Sequence, residues 1–225
     1  MSDLVTIFSE NGLLARTISG YRARPQQLEM AQAIADTITR HGVLLAEAGT
    51  GTGKTFAYLA PALLMGGKVI LSTGTKTLQD QLFNRDIPTM RAALKVPVTV
   101  ALLKGRTNYI CHYHLERTLQ ATHLSFTSRE EVSHLGLIER YAKTSQHGDK
   151  SGLSKVPENA PIWQHVTSTR DNCLGSECPH YKQCFVMEAR KHALAADIVV
   201  VNHHLFFADV MLRDEGLSEL LPACN

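Results

Sequence analysis

Val43-Leu44-Leu45-Ala46-Glu47-Ala48-Gly49-Thr50-Gly51-Thr52-Gly53-Lys54-Thr55 is a short apolar run that ends in a loop with three glycines and opens into the apolar-periodic stretch Phe56–Met65. That order predicts a strand, a phosphate loop and a helix. Phosphate is held by several backbone N–H groups converging on one point, so the chain must wrap tightly without side-chain crowding; the helix N-terminus adds donors and a dipole. In such a loop Lys54 reaches the β- and γ-phosphates of a nucleotide, and the Thr55 hydroxyl sits on Mg²⁺. The loop departs from the strict G-x-x-x-x-G-K-[ST] pattern at its first position, which is Ala48. An ordinary Gly/Thr loop is the bland alternative; Gly-Lys-Thr in register behind a strand outweighs it.

Upstream, Pro25 opens Gln26–Arg40, where Leu28, Ala31, Ala35 and Ile38 recur at helical spacing. Gln26 and Gln27 lie at its start. An amide carries the donor and acceptor needed to read an adenine edge, although a solvated helix-start glutamine is the better account from the residues alone. Downstream come the strand Lys68–Ser72, a helix over about Lys76–Leu82 and the strand Val98–Leu102. Strands alternating with helices predict parallel pairing and an α/β layer, with ligands beyond the carboxyl ends of the strands. Ser72-Thr73-Gly74-Thr75 falls at such an end. Thr73 there is a candidate contact to a nucleic-acid phosphate, and a simple helix cap accounts for the stretch equally well.

From Thr107 to Cys184 the pattern breaks down, and Ser145–Pro161 is rich in Gly, Ser and Pro. This segment reads as an insertion looped out of the layer. The α/β pattern returns with a helix over Phe185–Ala195 and a strand over Asp197–Val201. Cys111 stands at the head of the insertion, and Cys173, Cys178 and Cys184 form a C-x4-C-x5-C array at its far end. The spacing predicts a small domain without an adequate core, held shut by metal. Zinc and an iron–sulfur cluster both take four thiolates; one early and three late ligands lean toward a cluster. His112, His114 and His180 are neighbours able to replace a ligand, exposed imidazoles being the commoner case. Cys224 is unassigned.

With 23 basic and 21 acidic residues in 225, the net charge is +2, so nucleic-acid binding has to come from local patches. No apolar run approaches a membrane span and no basic segment leads an apolar one at Met1-Ser2-Asp3-Leu4, so a cytosolic protein without membrane association is expected. In that compartment the five cysteines are not expected to form a disulfide framework.

Together these stretches resemble the DinG/XPD family of iron–sulfur DNA helicases, superfamily 2 motors, nearest its bacterial DinG/YoaA branch. The resemblance is carried by Arg24-Pro25-Gln26-Gln27 through Met30, the EAGTGTGKT loop, Leu71 to Thr75 with Leu78-Gln79-Asp80-Gln81-Leu82, Leu103-Lys104-Gly105-Arg106 with Asn108-Tyr109 and Cys111, the cysteine triplet, and Val201-Asn202-His203-His204-Leu205. It implies a RecA-like phosphate-loop parallel sheet with an inserted, mostly irregular or helical iron–sulfur domain. The implied parts are residues 1–106 and 185–225 for the first motor domain and 107–184 for the insertion. It implies a [4Fe–4S] cluster on the four cysteines, adenine recognition by Gln27, a normal Ala48, and ATP with Mg²⁺ driving 5′-to-3′ movement along single-stranded DNA toward a fork.

Lys104 and Arg106 are then expected on the DNA backbone and Tyr109 as a stacking surface; Lys182, Arg190 and Lys191 extend the basic face, or are simply solvated. A monomer working with replication or repair proteins is expected. Hydrolysis also needs an apolar strand ending in Asp-Glu. Ile198–Val201 is followed by Asn202, and Asp214-Glu215 follows Arg213. The resemblance puts the acidic box after Asn225, so residues 1–225 are expected to bind ATP without turning it over. The competing expectation is a non-enzymatic, zinc-stapled adaptor for nucleic acid or protein.

Overall fold

The computed structural model describes residues 4–125, 128–214 and 220–224. They divide into two compact units, Met1–Leu102 with Ala195–Asn225, and Leu103–Leu194.

The first unit is a mixed α/β layer. Helices α1 (Leu4–Phe8), α2 (Leu13–Thr17), α3 (Pro25–Thr39) and α4 (Lys54–Leu64) precede strand β1 (Val69–Thr73). Helix α5 (Lys76–Gln81) runs through a π-helical turn, Leu82–Asp86, into α6 (Ile87–Leu94), and β2 (Val100–Leu102) follows. Pro25 sits in the first turn of α3, where a missing N–H costs nothing, and Thr75 caps α5 by accepting a 3.2 Å bond from the Leu78 N–H. After the second unit the chain returns as β3 (Ile198–Asn202, preceded by the helix described below). The strands are all parallel in the order β1-β3-β2, with Val69 and Val100 both opposite Ile198.

β3 is the centre of the sheet, which is why its apolar residues run unbroken: Ile198, Val199, Val200 and Val201 are all buried. Ile198 and Val200 join Leu59 and Leu63 of α4, Ile87 and Met90 of α6, and Ile7, Phe8 and Leu14 from the N-terminal helices in one core. Each such side chain contributes about 1.5–3 kcal/mol relative to exposure. Just before the strands, Thr99 and Asp197 are bonded in both directions. The Asp197 carboxylate accepts from the Thr99 N–H and hydroxyl, each at 2.7 Å, and the Asp197 N–H donates to the Thr99 hydroxyl at 3.0 Å.

The run Val43–Glu47, predicted as the strand before the phosphate loop, is not a strand. It is irregular, with Val43 100% and Leu45 99% exposed. A strand so apolar needs a ladder neighbour for its backbone groups, and none of the described strands pairs with it.

In the second unit, α7 (His112–Ser125) and α8 (Arg129–Thr144) are followed by the short α9 (Trp163–Val166), several 3₁₀ turns and α10 (Phe185–Ala195). Ser128 caps α8, with Glu130 and Glu131 in its first turn and Lys143 in its last, as the helix dipole favours. The expectation of an inadequate core is corrected here. Leu135, Ile138 and Ala142 of α8 pack with Ile110, Leu115, Ile162, Trp163, Val166 and Phe185 in a buried cluster of the unit's own. The last described helix, α11 (His203–Asp214), follows β3 and is capped by Asn202, whose Oδ1 accepts from the Leu205 N–H at 2.9 Å.

Candidate functional site

The glycine loop folds tightly at the head of α4. Gly51 and Gly53 take the left-handed conformation, φ +79° and +82°, which side chains disfavour. Lys54, the first residue of α4, turns its ammonium back into the loop and donates to the carbonyls of Ala48 at 2.6 Å and Gly49 at 2.8 Å. The Thr52 hydroxyl donates to Gly49 as well, at 3.0 Å. Ala48 therefore contributes through its carbonyl, a group that alanine supplies as well as glycine. A phosphate offers charged oxygens in place of these neutral carbonyls, so it competes well for the same Lys54 protons. Thr55 is bonded to the Tyr58 hydroxyl; burial raises the Tyr58 pKa and that bond partly offsets the rise.

Gln27 is buried, 2% exposed, against this loop. Its Nε2 donates to the Gly53 carbonyl at 2.9 Å, and its Oε1 accepts from the Tyr21 hydroxyl at 3.1 Å. A Cβ at Gly53 would overlap the Gln27 amide, so glycine is required there on two grounds. Tyr21 is the residue that the sequence reading missed; an aromatic six positions before a glutamine carries no motif.

At the carboxyl ends of β1 and β3 two loops meet. Ser72 Oγ lies 2.7 Å from His203 Nδ1, and Gly74 lies under the His203 ring. The Thr73 hydroxyl is turned to the carbonyl of Thr75 at 3.1 Å.

In the second unit, three of the four candidate ligands are placed at element boundaries, and Cys173 lies in irregular chain two residues before the Gly175–Glu177 turn. Cys111 immediately precedes α7, Cys178 and Cys184 each follow a 3₁₀ turn, and Cys184 also leads into α10. All four thiols, Cys173 included, are partly buried and unoxidised. Burial pushes the Cys111 thiol up, the N–H groups of His114 and Tyr113 pull it down, and the neighbouring Cys178 and Cys184 push it up again. The Arg190 guanidinium lies among them. Burial and Arg106 lower its pKa, while Cys173, Cys184 and Tyr181 act the other way. Cys111 and Arg190 thus each feel a different pair of the other thiols, with Cys184 common to both, and the donor set is the one that thiophilic iron or zinc takes. Among the described residues no three His, Cys, Asp or Glu side chains lie close enough to share a single ion. The flanking histidines have other partners: His180 Nε2 is 2.7 Å from Glu116, His114 Nε2 is 3.3 Å from the Asn172 carbonyl, and His112 stacks on Phe185.

Two expected DNA contacts are corrected. Lys104 is buried, its Nζ 2.8 Å from the Asp149 carboxylate and 3.1 Å from the Ser151 hydroxyl. Tyr109 is 3% exposed, too deep to stack on a base; its hydroxyl accepts from the Lys104 N–H, and burial pushes its pKa up to about 12. Both face inward because the segment that follows supplies the acidic partner and the apolar bed. Arg106 remains partly exposed, near Arg190, and Lys182 and Lys191 are exposed.

The sequence profile of DEAD/DEAH box helicases matches residues 24–157, more than half of the chain. The chain belongs to the DEAD/DEAH box helicase family. Within it, the chain is 50% identical over 218 residues to the ATP-dependent DNA helicase YoaA of Escherichia coli, covering 97% of this chain and 34% of that protein. It is 47% identical over 221 residues to the YoaA of Haemophilus influenzae, covering 98% and 34%. To the ATP-dependent helicase DinG of Mycobacterium tuberculosis it is 36% identical over 222 residues, covering 90% and 33%. It thus spans about a third of the length of these relatives. Among the described residues, no helix of this helicase-family chain is long and apolar enough to cross a membrane.

Proposed function

We propose that this chain is the nucleotide-gripping and cluster-bearing part of a cytoplasmic, ATP-dependent DNA helicase that moves 5′ to 3′ on single-stranded DNA and opens forked duplex during repair or replication. The observation that carries the reading is the Lys54 ammonium, curled into its own glycine loop by two carbonyls that a triphosphate would replace. The loop N–H groups from Gly49 to Thr55 cradle the phosphates, Thr55 holds Mg²⁺, and Gln27 faces adenine. Cys111, Cys173, Cys178 and Cys184 hold a [4Fe–4S] cluster, which supplies a structural cross-link and a one-electron couple. Thr73 and Arg106 are the remaining candidates for contact with the DNA strand. Among the described residues no strand ends in the acidic pair that orients the attacking water and holds Mg²⁺, so this part is assigned nucleotide binding rather than turnover.

Two measurements test this. Nucleotide titration of Lys54→Ala is expected to weaken binding of a non-hydrolysable ATP analogue by roughly ten- to a hundredfold, the worth of lost charge-assisted bonds. Unchanged affinity would sink the nucleotide reading. Iron and acid-labile sulfide should both be recovered from anaerobically purified protein; one zinc and no colour would favour a stapled adaptor instead.

A further inference from the structure

We infer that Tyr21 is a positioning residue for base selection, holding the plane of a Gln27 amide whose donor and acceptor ends are set by the Gly53 carbonyl. This rests on the reading that Gln27 faces the nucleobase. The Gly53 carbonyl can only accept, and it already takes the Phe56 and Ala57 N–H groups at 3.1 and 3.2 Å. The amide end beside it therefore has to be the nitrogen, 2.9 Å away. Tyr21 then meets the oxygen. Its hydroxyl lies 3.1 Å from both Gln27 Oε1 and the Phe8 carbonyl, and both of these are acceptors. A hydroxyl has one hydrogen, so the amide is held only when that hydrogen is turned toward Gln27.

One hydrogen bond is a pivot; two fix a plane. With Gly53 and Tyr21 both engaged, Gln27 keeps one N–H and one lone pair in a set order. That order suits adenine, whose exocyclic amino group donates and whose N7 accepts, and opposes guanine, whose O6 and N7 both accept. Loss of the Tyr21 hydroxyl leaves the amide turning about its bond to Gly53, and the discrimination relaxes while the phosphate grip is untouched.

The test is a competition titration of the protein with non-hydrolysable ATP and GTP analogues and with inorganic tripolyphosphate, on wild type, Tyr21→Phe and Gln27→Ala. Wild type should prefer the adenine nucleotide by roughly tenfold or more, the worth of one bidentate base contact. Tyr21→Phe should lose most of that ratio, with its tripolyphosphate affinity unchanged. A Tyr21→Phe protein that keeps the ratio while Gln27→Ala loses it overturns the role of Tyr21 and spares that of Gln27. Both variants keeping the ratio overturns the base reading itself. Equal weakening toward both nucleotides with the ratio kept marks Tyr21 as merely structural, as does loss of tripolyphosphate binding.

Discussion

The Lys104 ammonium lies 2.8 Å from the Asp149 carboxylate, with side-chain exposures of 3% and 17%. A lysine expected from the resemblance to contact nucleic acid is thus spent on holding the start of the second unit to residues 45 positions later. Removing one partner of a pair this buried leaves an uncompensated charge. Lys104→Ala is expected to destabilise the unit by about 3–5 kcal/mol in urea melts. The salt dependence of single-strand binding by the protein that remains folded should not change, because no phosphate contact has been removed. A flatter salt slope with unaltered stability would return Lys104 to the DNA.

Gly53 and Gly49 make opposite predictions. At Gly53 the φ of +82° and the Gln27 amide both exclude a Cβ, whereas at Gly49 a Cβ would meet nothing within 4 Å. Gly53→Ala should cost about 1–3 kcal/mol of stability before any nucleotide is added. Gly49→Ala should melt like wild type, and any effect it has should be on nucleotide affinity alone.

Asp197 gives the layer an acid-sensitive link. The Thr99 N–H and then the Thr99 hydroxyl hold its carboxyl below the ordinary value of 3.8. A depressed folded-state pKa means that the unfolded chain binds the proton first, so the stabilisation is complete above the ordinary value and is lost as pH falls through the folded one. The site is solvent-exposed, which keeps the effect small. Urea midpoints followed downward from about pH 5 should therefore fall less steeply in Asp197→Asn than in wild type. Parallel curves would mean that the link contributes nothing.

Cys178→Ser tests the proposed cluster separately from the fold around it. The second unit has its own apolar cluster around Ile138, Ile162 and Trp163. The variant should therefore lose iron and sulfide while keeping its far-ultraviolet helical signal, with new proteolytic cuts confined to the stretch around residues 173–184. Collapse of α7 and α8 would show that the apolar cluster is insufficient alone.

The layer was legible where periodicity and burial coincide: the unbroken Ile198–Val201 run is the central strand, and the glycines at 51 and 53 mark the left-handed turns. Val43–Leu45 was not, since an apolar run acquires strand geometry only from a neighbour, and a neighbour is a property of the sheet. The core of the second unit was overlooked because Leu135, Ile138 and Ala142 sit in α8 among Glu139, Arg140 and Lys143, which dilute the pattern. Lys104 and Tyr109 were misplaced for a related reason: burial depends on Asp149 and the cluster beyond it, distant in sequence. The Tyr21 contact joins a motif to a residue with no pattern of its own, and the Ser72–His203 contact joins two motifs 131 positions apart, so only geometry could find them.

Thr99 and Asp197 bracket the whole excursion from Leu103 to Leu194, and they are bonded to each other in both directions. Thr99 stands just before β2 and Asp197 just before β3, so their bonds clasp the amino ends of the two parallel strands, at the opposite end of β2 from Leu102, where the chain departs. Because β2 and β3 are parallel, the path from the carboxyl end of one to the amino end of the other has to travel back along the sheet, so any segment put in place of residues 103–194 must be a crossover of about a dozen residues or more rather than a tight turn.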